Sequence, residues 1–151
     1  PDSPAVATAA VAAAYAAARM RTQLPVWLGG HSFGGRMASH AVLEHALEPV
    51  GLVFCSFPLH PAERPAIARA AHLPALRQPL LFLSGTRDAL AAAPLLTSVV
   101  AALPQAELHW LATADHGYRV QKRARDDTET VFGEMARVAR AFIDRHGGSV
   151  P

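Results

Sequence analysis

A chain of 151 residues is long enough for one domain with one sizeable core and too short for two ordinary ones. Its 51% hydrophobic and 17% charged residues, a net charge of +2 and 12 scattered prolines exclude a disordered tail, a polyelectrolyte and a low-complexity linker. The basic groups are nearly all arginine and form no stripe, Lys122 being the lone lysine, so nucleic acid is not an expected partner.

Asp2 or Ser3 reads as an N-cap before Pro4, and the alanine-rich stretch to about Arg21 has near-maximal helix propensity. This first helix falls short of the ~20 apolar residues a membrane span needs and has no basic residues before it. It is therefore read as neither a targeting sequence nor an anchor, and no membrane partner is expected. Pro25 opens Val26-Trp27-Leu28, a short apolar run typical of a strand buried on both faces, with Gly29 and Gly30 ending it. A helix is expected from about Gly34 to Leu47, and a second apolar strand from Val50 to Phe57.

Pro58, Pro61, Pro65 and Pro74 leave room for a single short helix near Ala62 to Ala71. Leu80 to Leu83 reads as a third buried strand and Ser84 to Asp88 as the turn after it. Pro94 begins a helix, and Ala106 to Leu111 forms a fourth strand. The last helix carries an apolar stripe of Val131, Phe132, Met135, Val138, Ala139, Phe142 and Ile143, with a capping box from Asp126 to Glu129 and Gly147 at its C-terminus. Strands that alternate with helices and are apolar throughout predict an α/β fold, with four parallel strands in sequential order and helices on both faces.

Gly30-His31-Ser32-Phe33-Gly34 fits G-x-S-x-G and sits directly after a strand and before a helix, as the strained turn that presents a nucleophilic serine requires. Gly30 and Gly34 are expected to let the backbones approach, and the Phe33 N–H at the helix N-terminus to meet a developing oxyanion. A serine needs a base, and the base needs a carboxylate to hold its tautomer. Asp88, past the third strand, and His116, past the fourth, project at the same sheet edge as Ser32.

Asp115, adjacent to His116, is a poor orienter and is expected to shape the loop. Arg87 is expected in a surface ion pair, although it could bind a carboxylate. His31 and His60 are candidate substrate-side groups, His60 at the site entrance, although two prolines fix its loop. Cys55 reads as a buried, inert thiol, and a single cysteine leans the reading towards the cytoplasm. The eight histidines show no HExxH or close pairing, so neither a metal nor another cofactor is expected.

Taken together, the chain resembles the α/β-hydrolases, and within them the dienelactone-hydrolase-like branch that includes bacterial predicted hydrolases and the hydrolase-like Tex and KANSL proteins of animals. The resemblance rests on Trp27 to Arg36, Phe57 to Pro61, Phe82 to Asp88 and Asp115 to Tyr118. It implies Ser32 as nucleophile, Asp88 as orienter and His116 as base. It also implies that residues 1–151 are one domain forming the C-terminal half of that fold, without the N-terminal strands. The first strand is then an exposed edge through which copies could associate.

The expected activity is a serine hydrolase of small ester, thioester or lactone substrates, with a catalytically inactive interaction module as the alternative. The short 58–79 segment predicts an open site with no mobile lid.

Overall fold

The computed structural model describes residues 3–121 and 129–147. Its elements are α1 (Pro4–Arg21), β1 (Leu28–His31), α2 (Phe33–Glu44), β2 (Leu52–Cys55), β3 (Leu80–Gly85), α3 (Ala93–Ala101), β4 (Ala106–Leu111) and α4 (Val131–His146). The strands form one parallel sheet in the order β1-β2-β3-β4, with Leu28, Leu52, Leu80 and Ala106 in register. The α/β class and the sequential parallel order are as the apolar strands predict.

The lack of alternation in β3 has a direct cause, since all six of its residues are buried. Leu80 and Phe82 enter one core with Leu52, Phe54, Phe57 and Leu96. Leu81 and Leu83 enter the other with Leu111, Tyr118, Val131 and Phe142. Two covered faces leave no polar side to the strand.

Several boundaries differ from expectation. No α-helix forms over Ala62 to Ala71, which holds only the 3-10 turn Ala68–Ala70, with a second, Leu73–Ala75, just after it. Pro65 would fall inside such a helix, where it has no N–H to donate and its ring meets the preceding turn. β1 begins at Leu28 and runs through both glycines that were expected to end it. The glycines are what lets it pair, because a Cβ on Gly29 would lie 2.6 Å from the Val53 oxygen. The Trp27 ring lies over Gly51, where any Cβ would strike it, and meets Phe142 edge-on at 5.8 Å.

Ser3 caps α1, its hydroxyl accepting from the Val6 N–H at 3.4 Å. Thr130 caps α4 by accepting from Gly133 N–H at 3.0 Å, and Asp126 of the expected capping box lies outside the described residues. Phe132, placed by the sequence pattern on the buried stripe, is 64% exposed, with its ring edge-on to Tyr118 at 6.1 Å. It follows Val131 by one residue, so it is turned away from the sheet.

A close backbone approach joins β1 to α2. A Cβ on Gly30 would stand 2.7 Å from Gly35 N, and one on Gly35 would stand 2.6 Å from Gly30 O. Gly34, expected to make this contact, has nothing within 4 Å of its Cβ position. Gly35→Ala is therefore expected to destabilise by about 1–3 kcal/mol, the usual cost of overpacking. Gly34→Ala should be neutral or stabilising by up to ~1 kcal/mol, through helix propensity. Urea midpoints of the two variants check the assignment; equal midpoints would contradict it.

Candidate active site

In a parallel sheet every strand ends at the same edge, so the loops after β1, β3 and β4 meet there. Ser32 fills the single position between β1 and α2 at φ 52° and ψ −120°, a conformation a non-glycine residue rarely adopts. Backbone bonds hold it on both sides: its N–H donates to Cys55 O at 2.8 Å, and its carbonyl accepts from Arg36 N–H at 3.2 Å. Its hydroxyl does not cap the helix it precedes. The Oγ is instead 2.8 Å from Nε2 of His116.

Nδ1 of His116 is 2.9 Å from both carboxylate oxygens of Asp88. A carboxylate only accepts, so Nδ1 carries the proton and donates it, and Nε2 keeps the lone pair that accepts the Ser32 hydroxyl. The Asp88 side chain is fully buried and that of His116 is 23% exposed. The three side chains expected to act together therefore form one hydrogen-bonded chain.

The Asp88 loop is braced from behind. Asp88 Oδ1 also accepts from Leu90 N–H at 2.8 Å. His60 is buried, its N–H donating to Leu90 O at 3.0 Å and its Nε2 accepting from Ala92 N–H at 2.9 Å. Its Nδ1 then donates to Pro61 O at 2.8 Å. Both ring nitrogens are committed to backbone, so His60 lies beneath the Asp88 loop and not at an entrance where it could touch substrate.

The His116 loop is tied to the Asp88 loop by Arg87, whose N–H donates to Ala114 O at 2.9 Å and whose Nη1 donates to Thr113 O at 3.2 Å. Thr113 N–H in turn donates to Thr86 Oγ1 at 2.9 Å. Asp115 turns the loop, accepting from Gly117 and Arg119 N–H at 2.9 Å each. Those donors, Arg119's above all, hold its carboxyl below the usual range. His31 is exposed and its Nε2 donates to His116 O at 2.9 Å, so its ring holds the His116 backbone.

Tyr118 was not foreseen. It is buried at φ 65°, its hydroxyl donates to Leu83 O at 3.3 Å, and its ring lies 5.7 Å from that of His31. Burial pushes its phenol well above the ordinary value. The sequence carries no sign of this beyond its spacing of two from His116. Phe33 is the first residue of α2, so its N–H has no acceptor within the helix. The Cys55 thiol is pushed up by burial, away from reactivity.

Among the described residues no three His, Cys, Asp or Glu side chains stand together to hold a metal ion. None of the described helices is long and apolar enough to cross a membrane.

Residues 1–144 match the alpha/beta hydrolase domain family, and the chain belongs to it. The fold recurs in an alpha-beta serine hydrolase homologue from Coxiella burnetii, at a TM-score of 0.59 and 16% identity over 89% of this chain. It recurs in the esterase domain of a Rhodothermus marinus protein, at a TM-score of 0.68 and 18% identity over 91% of this chain and 68% of that one. A thermophilic esterase from Thermogutta terrifontis matches at 0.55 and 15% identity over 86% of this chain and 67% of that one. The chain spans 55% of the length of the Coxiella protein.

The hydrogen-bond pattern fixes a tautomer that can be observed. Ring nitrogen NMR of the neutral imidazole is expected to show His116 protonated at Nδ1 and bare at Nε2. Asp88→Asn, which offers a donor as well as an acceptor, should let the other tautomer appear. A native ring protonated at Nε2 would contradict the arrangement.

Proposed function

We propose that the chain carries the nucleophile, base and orienting acid of a serine hydrolase acting on small esters, thioesters or lactones through an acyl-enzyme. The observation that carries this reading is the Ser32 hydroxyl 2.8 Å from a His116 ring whose other nitrogen is held by the buried Asp88. Ser32 Oγ adds to the substrate carbonyl as its proton passes to His116 Nε2. The resulting oxyanion is stabilised by the Phe33 N–H and the N-terminal end of α2. Collapse expels the alcohol or thiol, which takes the proton from His116; water, deprotonated by the same ring, then releases the acid and restores Ser32. Asp88 stabilises the imidazolium throughout.

Within the family we assign the chain to the dienelactone-hydrolase-like branch, on the segments Trp27 to Arg36, Phe57 to Pro61, Phe82 to Asp88 and Asp115 to Tyr118. The 58–79 segment supports an open site, because it holds only the two 3-10 turns and no helix that could swing as a lid.

A fluorophosphonate probe is expected to label Ser32 in the native chain and to leave Ser32→Ala and His116→Ala unlabelled. Asp88→Asn should lower the rate on p-nitrophenyl acetate on the order of 10³- to 10⁴-fold. An unlabelled native chain would leave a hydrolase-fold interaction module in place of an enzyme. With p-nitrophenyl esters of increasing length, activity is expected to fall beyond short acyl chains and to show no jump at the micellar transition. A jump would show that a lid exists.

A further inference from the structure

The loops that follow β3 and β4 enclose a cavity of about 390 Å³, lined by Arg87, Ala89, Asp115, His116, Gly117 and Arg119. Its size falls within the range of small-molecule sites. His116 is one of its walls, and that residue's Nε2 is 2.8 Å from Ser32 Oγ, so the cavity adjoins the acyl centre through the ring that moves the proton. Two small residues keep it open. A Cβ on Gly117 would find only Asp115 Oδ1 within 4 Å, at 3.7 Å, and Ala89 offers no more than a methyl group.

The lining is positively charged. Arg87 Nη1 donates to Thr113 O at 3.2 Å, which holds this side chain against the loop that carries His116. The Arg119 N–H donates to Asp115 Oδ1 at 2.9 Å and its carbonyl accepts from Asp115 N–H at 3.0 Å, so Arg119 closes the same turn. Among the described residues no group accepts from Nε or Nη2 of Arg87 or from the Arg119 guanidinium, and no carboxylate forms an ion pair with either arginine. Asp115 is the acid that faces them, and its Oδ1 is already committed to the Gly117 and Arg119 N–H groups. The Arg119 N–H above all holds this carboxyl below its usual range, and the charges of Arg119 and Arg87 add to the effect. Two guanidinium groups therefore share the cavity with one carboxylate turned into its own loop.

The position of the cavity decides which half of a substrate could reach it. The leaving alcohol or thiol takes its proton from His116 Nε2 and must lie within hydrogen-bond reach of that nitrogen. What extends beyond the leaving atom on the His116 side meets Arg87 and Arg119, and the planar guanidinium fork suits carboxylate and phosphate oxygens. We propose that this cavity is a leaving-group subsite, in which Arg87 and Arg119 hold a carboxylate or phosphate carried by the alcohol or thiol half of the substrate. The subsite rests on the hydrolase reading above and narrows its substrates to esters and thioesters with an anionic leaving group.

The test compares pairs of acetyl thioesters that differ in leaving-group charge. S-acetyl thioglycolate is set against S-acetyl thioglycolamide for the carboxylate, and S-acetyl mercaptoethyl phosphate against S-acetyl mercaptoethanol for the phosphate. The native chain is expected to favour the charged member of at least one pair by about fivefold or more in kcat/KM, the order set by a partly exposed ion pair. Which pair shows it distinguishes the two anions. Arg119→Gln should bring that ratio close to one and Arg119→Lys should keep most of it, while rising salt should erode it. Arg119 is the deciding position because its guanidinium braces nothing among the described residues, whereas Arg87→Gln would also release Thr113. The ratio between p-nitrophenyl hemisuccinate and p-nitrophenyl butyrate, whose charge difference lies on the acyl half, should not respond to Arg119→Gln.

Binding is read without turnover on the Ser32→Ala chain, where acetate or inorganic phosphate is expected to shift the Arg119 side-chain N–H signal and sodium chloride of equal ionic strength is not. A native chain without preference in either pair, a preference that survives Arg119→Gln, or a loss that falls on the hemisuccinate ratio instead would overturn the subsite. Fluorophosphonate labelling separates the two readings. A labelled Ser32 without leaving-group preference removes only the subsite, and anion binding at Arg119 without labelling removes the hydrolase.

Discussion

The site depends on how closely β1 can approach α2. Gly30 and Gly35 place strand and helix backbone within 2.7 Å of where a Cβ would stand, and only at that separation does one residue suffice to turn the chain. That residue, Ser32, takes a backbone conformation costing on the order of 1–3 kcal/mol. The strain persists because its N–H is tied to Cys55 O and its carbonyl to Arg36 N–H, and because β2 beside it is anchored in both cores. A wider turn would move the hydroxyl from the sheet edge and release the helix N-terminus from its place behind it.

The remaining geometry is the convergence of two loops on that point. Asp88 and His116 are 28 residues apart, yet their loops are one hydrogen-bonded unit through Arg87, Thr86 and Thr113. His60 braces the Asp88 side from below, and His31 fastens the His116 backbone from the strand that delivers Ser32. A ring held at its carbonyl, at Nδ1 and at Nε2 has little freedom left. Such preorganisation is what a proton-transferring base requires, since no rearrangement then precedes reaction.

Much of this was legible in the sequence for physical reasons. Strands buried on both faces leave unbroken apolar runs, so the sheet and its parallel order could be read from Leu80 to Leu83 and Leu52 to Cys55. The meeting of Ser32, Asp88 and His116 at one sheet edge could be read because each follows a strand. Roles set by tertiary contact were not legible. His60 and His31 are both loop-side histidines in sequence, and only the fold commits one to Ala92 and the other to the His116 carbonyl. Trp27 read as strand because apolar runs do not distinguish a residue in the sheet from one packed over its end. Gly34 and Gly35 are indistinguishable until the helix phase shows which of them faces β1.

The central claim is that Ser32 accepts an acyl group with His116 as its base. Brief incubation with p-nitrophenyl acetate, acid quenching and peptide mass spectrometry test it directly. The account predicts an acetyl group on the peptide bearing Ser32 in the native chain and none in His116→Ala. Absence of the adduct from the native chain, or its formation at the native rate without His116, would contradict it.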